Sequence, residues 1–171
     1  DNYFYSITED FDFIVSDFSN FPQFIKIFST KLEDIPISYE TKAISHDLNF
    51  ICIGGKSGNE AIVINVQNPE NPQFCVSPLN VKEIISIVPA PEKNSFAILA
   101  ESIKENKVIY YLDPETNQIY NKVKVDPSTF KLVYSLDADN SQVFYVTNRK
   151  IVSVGSSISI TTKYDILLIS N

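Results

Sequence analysis

The chain has 171 residues and a formal net charge of −7. With 14 Lys and Arg against 21 Asp and Glu, it lacks the clustered positive charge that neutralises a phosphate backbone, so no nucleic-acid partner is expected. Hydrophobic residues make up 44% of the sequence without forming a run long enough to cross a bilayer, so a sizeable core and no direct membrane span are expected.

Short runs rich in Ile, Val, Phe and Tyr recur between turn residues about every 8–12 positions, which predicts an all-β chain. In chain order, strands are expected near Tyr3–Ile7, Phe11–Phe18, Gln23–Phe28, Ile37–Ile44, Phe50–Ile53, Ala61–Val66, Gln73–Val76 and Lys82–Val88. They continue near Ser95–Ala100, Lys107–Leu112, Gln118–Val125, Phe130–Leu136, Val143–Val146, Lys150–Val154, Ile158–Thr162 and Tyr164–Ser170. The run Val81–Val88 opens with Lys and Glu as a helix might, but Ile84, Ile85, Ile87 and Val88 favour a buried strand. Gly54-Gly-Lys-Ser-Gly-Asn59 supplies backbone freedom for a hairpin, and Asp113-Pro-Glu-Thr-Asn117 places Pro where its fixed φ suits a turn. Ser45-His-Asp-Leu-Asn49, Pro91-Glu-Lys-Asn94 and Asp137-Ala-Asp-Asn140 occupy equivalent places, between the first and second strands of successive units.

Those units repeat. Ile62-Val-Ile-Asn-Val-Gln-Asn-Pro-Glu-Asn-Pro-Gln-Phe74 has an earlier counterpart in Ile14-Val-Ser-Asp-Phe-Ser-Asn20 followed by Phe21-Pro-Gln-Phe24. Ile109-Tyr-Tyr-Leu-Asp-Pro-Glu-Thr-Asn117 is a weaker copy, and Ile151-Val-Ser-Val-Gly155 keeps only the strand. Setting Phe18, Val66, Leu112 and Val154 in register gives a period of about 42–48 residues, the range of propeller blades. A unit of this kind cannot bury its apolar faces alone, so its neighbours must stack. The expectation is a β-propeller over residues 1–171, with four-stranded blade-like units at about 1–30, 36–78, 82–125 and 129–162. Residues 164–170 then either complete the first unit or begin another. With no Met start and a first unit entered at its second strand, part of a larger propeller is expected rather than a closed four-bladed ring.

Ala61-Ile-Val-Ile-Asn-Val-Gln-Asn-Pro-Glu-Asn-Pro-Gln-Phe74 resembles the LVIVD repeat, in which an apolar strand ends in Asp or Asn and an Asn-Pro turn follows. Phe13–Asn20 keeps Asp17 where the second copy has Asn65. The resemblance implies a secreted or cell-surface propeller that serves interaction, with no catalytic residues to carry over.

Residues able to carry chemistry are few. His46 is the single histidine and sits in a turn, which favours an exposed loop residue over a nucleophile's base. Gly54-Gly-Lys-Ser-Gly58 lacks the spacing and the following helix of a phosphate loop. Asp137, Asp139 and Ser141 space oxygens like the opening of a calcium loop, but Gln142 and Asn148 stand where Gly and Glu belong, so they are weak metal candidates and a solvated turn is expected. Cys52 and Cys75 fall on the second and fourth strands of one unit, too distant for a bridge, and two free buried thiols are expected.

The reading that follows is a non-catalytic interaction or structural module, with no cofactor, binding a protein partner or further copies of itself. Its contact face is expected at 45–49, 91–94 and 137–141, with His46, Asp47, Glu92, Lys93, Asp139 and Asn140 as partner-binding residues. A structural subunit of a filament or ciliary complex is one alternative. The other is a carbohydrate-binding or hydrolytic domain with a central-channel site, for which the first strands offer Glu40, Lys42, Lys82, Glu83 and Lys131.

Overall fold

The computed structural model describes residues 2–32, 40–55, 60–92, 94–104, 106–135, 141–155 and 159–163. Its regular structure is entirely antiparallel β, in four sheets whose strands follow one another in chain order. The first sheet holds β1 (Tyr3–Ile7), β2 (Asp12–Asp17) and β3 (Ile25–Lys31), and the second β4 (Thr41–Ile44), β5 (Phe50–Gly54), β6 (Glu60–Asn65) and β7 (Gln73–Pro78). The third holds β8 (Val81–Pro89), β9 (Phe96–Ser102), β10 (Lys107–Asp113) and β11 (Gln118–Lys124). The fourth holds β12 (Lys131–Ser135), β13 (Gln142–Val146), β14 (Lys150–Ser153) and β15 (Ser159–Thr161). These match the strands expected from the sequence within a few residues, and Tyr164–Ser170 lies outside the described residues.

The sheets stack face to face like propeller blades, and the period-2 side-chain alternation explains how. Phe13 and Val15 of the first sheet pack with Ile51, Ile53, Ile62 and Ile64 of the second. Cys52, Ala61 and Val63, on the opposite face of the second sheet, pack with Phe96, Ile98, Val108 and Leu112 of the third. Ala97, Leu99 and Ile109 then turn to Leu132 and Val143 of the fourth. The middle strands are therefore buried on both faces, which is why they read as unbroken apolar runs rather than as alternating ones. Fourth strands such as β11 alternate or lie exposed. The Phe74 ring fills the seam between the first two sheets, edge-on to Phe13 at 5.6 Å and stacked on Phe28 at 6.4 Å.

First strands converge. β8 contacts both β4 and β12, which places these strands on the inner side of the stack. A repeated hydroxyl bridge joins them: the Ile87 N–H donates to Thr41 Oγ1 at 2.8 Å, and the Leu132 N–H donates to Ser86 Oγ at 3.2 Å, each spanning 46 residues. Both hydroxyls stand at equivalent points of successive blades.

A second repeated feature corrects the register of the third copy. Asp17, Asn65 and Asp113 end β2, β6 and β10, and each side-chain oxygen accepts the backbone N–H two residues on, at 2.8, 3.0 and 2.9 Å. These Asx turns place Pro114, not Leu112, level with Phe18 and Val66. Leu112 is a fully buried strand residue that faces the second sheet. The sequence pattern was ambiguous there because Pro114 replaces the apolar residue of the other copies.

One further expectation changes, and another is sharpened. The stretch after Gly54 joins the antiparallel pair β5–β6, but Gly54 itself ends β5, and a Cβ built on it would lie 2.7 Å from Ile84 Cδ1. Its bare backbone is what lets the third sheet approach. Residues 56–59 of the same stretch lie outside the described residues. Cys52 is buried as expected, and burial pushes its thiol pKa up, but Cys75 is exposed because it lies on an outer strand. Among the described residues, no helix is long and apolar enough to cross a membrane.

Candidate interaction surface

Each four-stranded sheet is a meander, so its first-to-second and third-to-fourth connections emerge at the same end, where the β2–β3 connection of the first sheet also lies. That end gathers the turns at 18–24, 45–49, 66–72, 91–94 and 114–117.

The turn after β4 is built around Asp47. Oδ1 accepts the Ser45 hydroxyl at 2.6 Å and the Asn49 N–H at 3.1 Å, while Oδ2 accepts the Asn49 amide at 2.8 Å. Oδ2 also accepts the Asn94 Nδ2–H at 3.0 Å, tying this turn to its counterpart in the third sheet. Ser45 is buried and accepts the Phe50 N–H at 3.0 Å. Partial desolvation pushes the Asp47 pKa up, but the hydrogen bonds from Ser45 and Asn49 outweigh it and leave the carboxyl below its usual range. The folded-state pKa is depressed, so the stabilisation is present above the unfolded value near 4 and is lost as pH falls through the folded value. Asp47→Ala is expected to lower stability by about 1 kcal/mol at neutral pH, the carboxylate being partly screened by solvent. Thermal melts from pH 7 to pH 2 should show the gap from wild type shrinking on the acid side.

This scaffold leaves His46 and Leu48 exposed, Leu48 at 58% and with φ at 63°. The His46 ring lies 4.9 Å from the ring of Tyr134 on β12, so a turn of the second sheet reaches the fourth. The Tyr134 hydroxyl is buried and has no hydrogen-bond partner among the described residues.

Glu92 lies at the equivalent turn of the third sheet and is exposed, with its carbonyl accepting from Ser95. It borders a cleft of about 200 Å³ between the third and fourth sheets, shared with Tyr111, Asn121, Ser141 and Gln142. Burial, with Tyr120 and Glu92 nearby, pushes the Tyr111 pKa up to about 12. Lys93, Asp137, Asp139 and Asn140 lie outside the described residues. His46, Asp47, Glu92 and Ser141 are thus brought to one end, though not into one pocket. Among the described residues, no three His, Cys, Asp or Glu side chains form a group able to hold a metal.

Of the first-strand charges, those on β8 are engaged within their own sheet. Lys82 pairs with Glu101 at 3.0 Å, and Lys107 sits 4.0 Å from Glu83 and 3.5 Å from Glu101, so this network laces neighbouring strands of the third sheet. Glu40 and Lys42 are exposed beside and on β4, and Lys131 opens β12.

An exposed aromatic cluster was not anticipated from the sequence. Phe21 and Phe24, on the connection between β2 and β3, are 76% and 58% exposed, and Phe4 on β1 is 53% exposed. Phe24 gathers the others, with ring centroids 6.3 Å from Phe4, 6.3 Å from Phe18 and 6.4 Å from Phe21. At the matching turn of the second sheet Pro72 is buried, whereas the turn of the first sheet carries surface phenylalanines.

No protein-family model matches the chain, and no curated protein matches it.

Proposed function

We propose that this chain is a non-catalytic protein-interaction and structural module, carried on propeller-like blades, whose contact face is the turn end. The exposed aromatic cluster of Phe4, Phe21 and Phe24, gathered with the half-buried Phe18, carries this reading. Contiguous aromatic surface held on a hydrogen-bonded turn is disfavoured in water and matches the composition of protein interfaces. The Asp47 network supports it by fixing the neighbouring turn with His46 and Leu48 outward, so little ordering entropy is lost on contact. The likeness of Ala61–Phe74 to the LVIVD repeat supports placement in an extracellular or cell-surface assembly.

The test is cross-linking mass spectrometry on the native-source assembly, compared with the Phe21→Ser/Phe24→Ser chain. Both side chains are exposed, so the melting temperature should barely move. Cross-links from Lys26, beside the cluster on β3, to other proteins should weaken about tenfold or more. Links to further copies of this chain would favour the filament reading. Unchanged intermolecular links in the double variant would remove the cluster from the interface.

A further inference from the structure

Two rows of side chains cross the face of the second sheet that looks onto the third. Register pairs Phe50 with Asn65 and Asn65 with Gln73, then Cys52 with Val63 and Val63 with Cys75. Residues directly opposite on antiparallel strands share a face, so each row changes character from the inner strands outward. Phe50, Cys52 and Val63 are buried under the third sheet, whereas Gln73 and Cys75 are exposed and Asn65 is half-buried. Over that outer half the two sheets part. Between them lies a cleft of about 420 Å³, with Asn65, Gln73 and Cys75 on one wall and Pro114 and Glu115, from the turn after β10, on the other.

The walls are held in place. The Asn117 side-chain amide donates to the Val76 carbonyl at 2.9 Å, and its Oδ1 accepts the Ser77 hydroxyl, so the turn after β10 is strapped to β7. Asn65 Oδ1 accepts the Gln67 N–H at 3.0 Å, and Gln73 Nε2 donates to the Asn71 carbonyl at 3.2 Å. The groups left to face a ligand are the Asn65 amide as donor, Gln73 Oε1 and the Glu115 carboxylate as acceptors, and the Gln67 carboxamide as both.

We infer that this cleft binds a neutral sugar residue of a glycan, with its hydroxyls on Asn65, Gln67, Gln73 and Glu115 and its C–H face toward Val63. Among the described residues lining the cleft there is no Lys or Arg, so an anion would shed water there without gaining a counter-charge. A cation would find one exposed carboxylate and no open aromatic face, because the Phe74 ring is turned to Phe13 of the first sheet. A wholly apolar ligand would leave the amides and the carboxylate without partners. A hydroxyl donates and accepts at one atom, so a ligand with several of them satisfies neighbouring amide and carboxylate groups together. The volume lies within the roughly 300–1,000 Å³ of small-ligand sites. The cleft shares no residue with the phenylalanine cluster, and this inference stands whether or not that cluster is a protein contact.

The Cys75 thiol supplies a footprint for the test. It is exposed in the cleft while Cys52 is buried, so iodoacetamide on the folded chain reads Cys75. The full chain is screened on an array of immobilised neutral and sialylated glycans, and the best binder is then used as the free oligosaccharide. Neutral glycans should bind, and sialylated termini at least about tenfold more weakly, because their carboxylate would meet Glu115. At about ten times its Kd, the free oligosaccharide should slow alkylation of Cys75 about tenfold, since only the unoccupied fraction reacts. Gln73→Ala and Glu115→Ala, both at exposed side chains, should leave the melting temperature in place and each weaken glycan binding about fivefold or more. No binding across the array overturns the inference, and so does a preference for sialylated glycans. Binding that leaves alkylation unslowed, or that survives both substitutions, places the sugar elsewhere and overturns this site.

Discussion

Phe96→Ala is expected to destabilise the protein by about 3–5 kcal/mol, the cost of losing a fully buried phenyl ring and leaving part of its volume empty. Phe96 opens β9 and packs in the cluster shared by the second and third sheets, with Phe50, Val63, Ile87 and Leu112. The cavity would lie in a seam between two sheets, where neither can collapse without moving against the other. Measured by urea unfolding, the loss is a large share of the roughly 5–15 kcal/mol typical of a folded domain. Phe21→Ala provides the contrast, because Phe21 is 76% exposed and its truncation should stay within about 0.5 kcal/mol. Equal effects at the two positions would contradict the assignment of this seam as core.

Gly54→Val should cost about 1–3 kcal/mol through overpacking. The new Cβ would lie 2.7 Å from Ile84 Cδ1, 3.1 Å from Cγ2 and 3.3 Å from Cβ. Rotamer changes can move Cδ1 and Cγ2, but Cβ is fixed by β8, whose Ile84 N–H also donates to the Gly55 carbonyl at 3.0 Å. Ile84→Ala supplies the compensating space. In a double-mutant cycle the combined loss should fall short of the sum of the single losses by about 1 kcal/mol or more. Strict additivity would show that Gly54 is needed for some reason other than the approach of Ile84.

Fold class and strand order were legible because burial on two faces writes long apolar runs into the middle strands. Phe50–Gly54, Glu60–Asn65 and Phe96–Ser102 announce themselves this way. The candidate surface was only half legible. His46 and Asp47 were found because turn chemistry is local, and Ser45, Asp47 and Asn49 bond within five residues. Asn94 and Tyr134 were missed as their partners, since the first contact spans 47 residues and the second reaches from the second sheet to the fourth. The phenylalanine cluster was missed for a different reason. A Phe in an apolar pattern reads as core, and nothing in Phe21-Pro-Gln-Phe24 shows that its turn projects beyond the stack.

By itself, then, the sequence determined the repeat and its chemistry: apolar strands ended by Asp17, Asn65 and Asp113, whose side chains close a turn on their own backbone. Such interactions lie within a few residues, so they survive in any fold that the chain could adopt. The tertiary structure alone decided how the repeats face one another. It decided that Gly54 makes room for Ile84, that Thr41 and Ser86 bridge successive first strands, and that Cys75 faces outward while Cys52 does not. Each of these depends on the distance and angle between sheets about 45 residues apart in sequence, set by side-chain volumes summed over a whole seam.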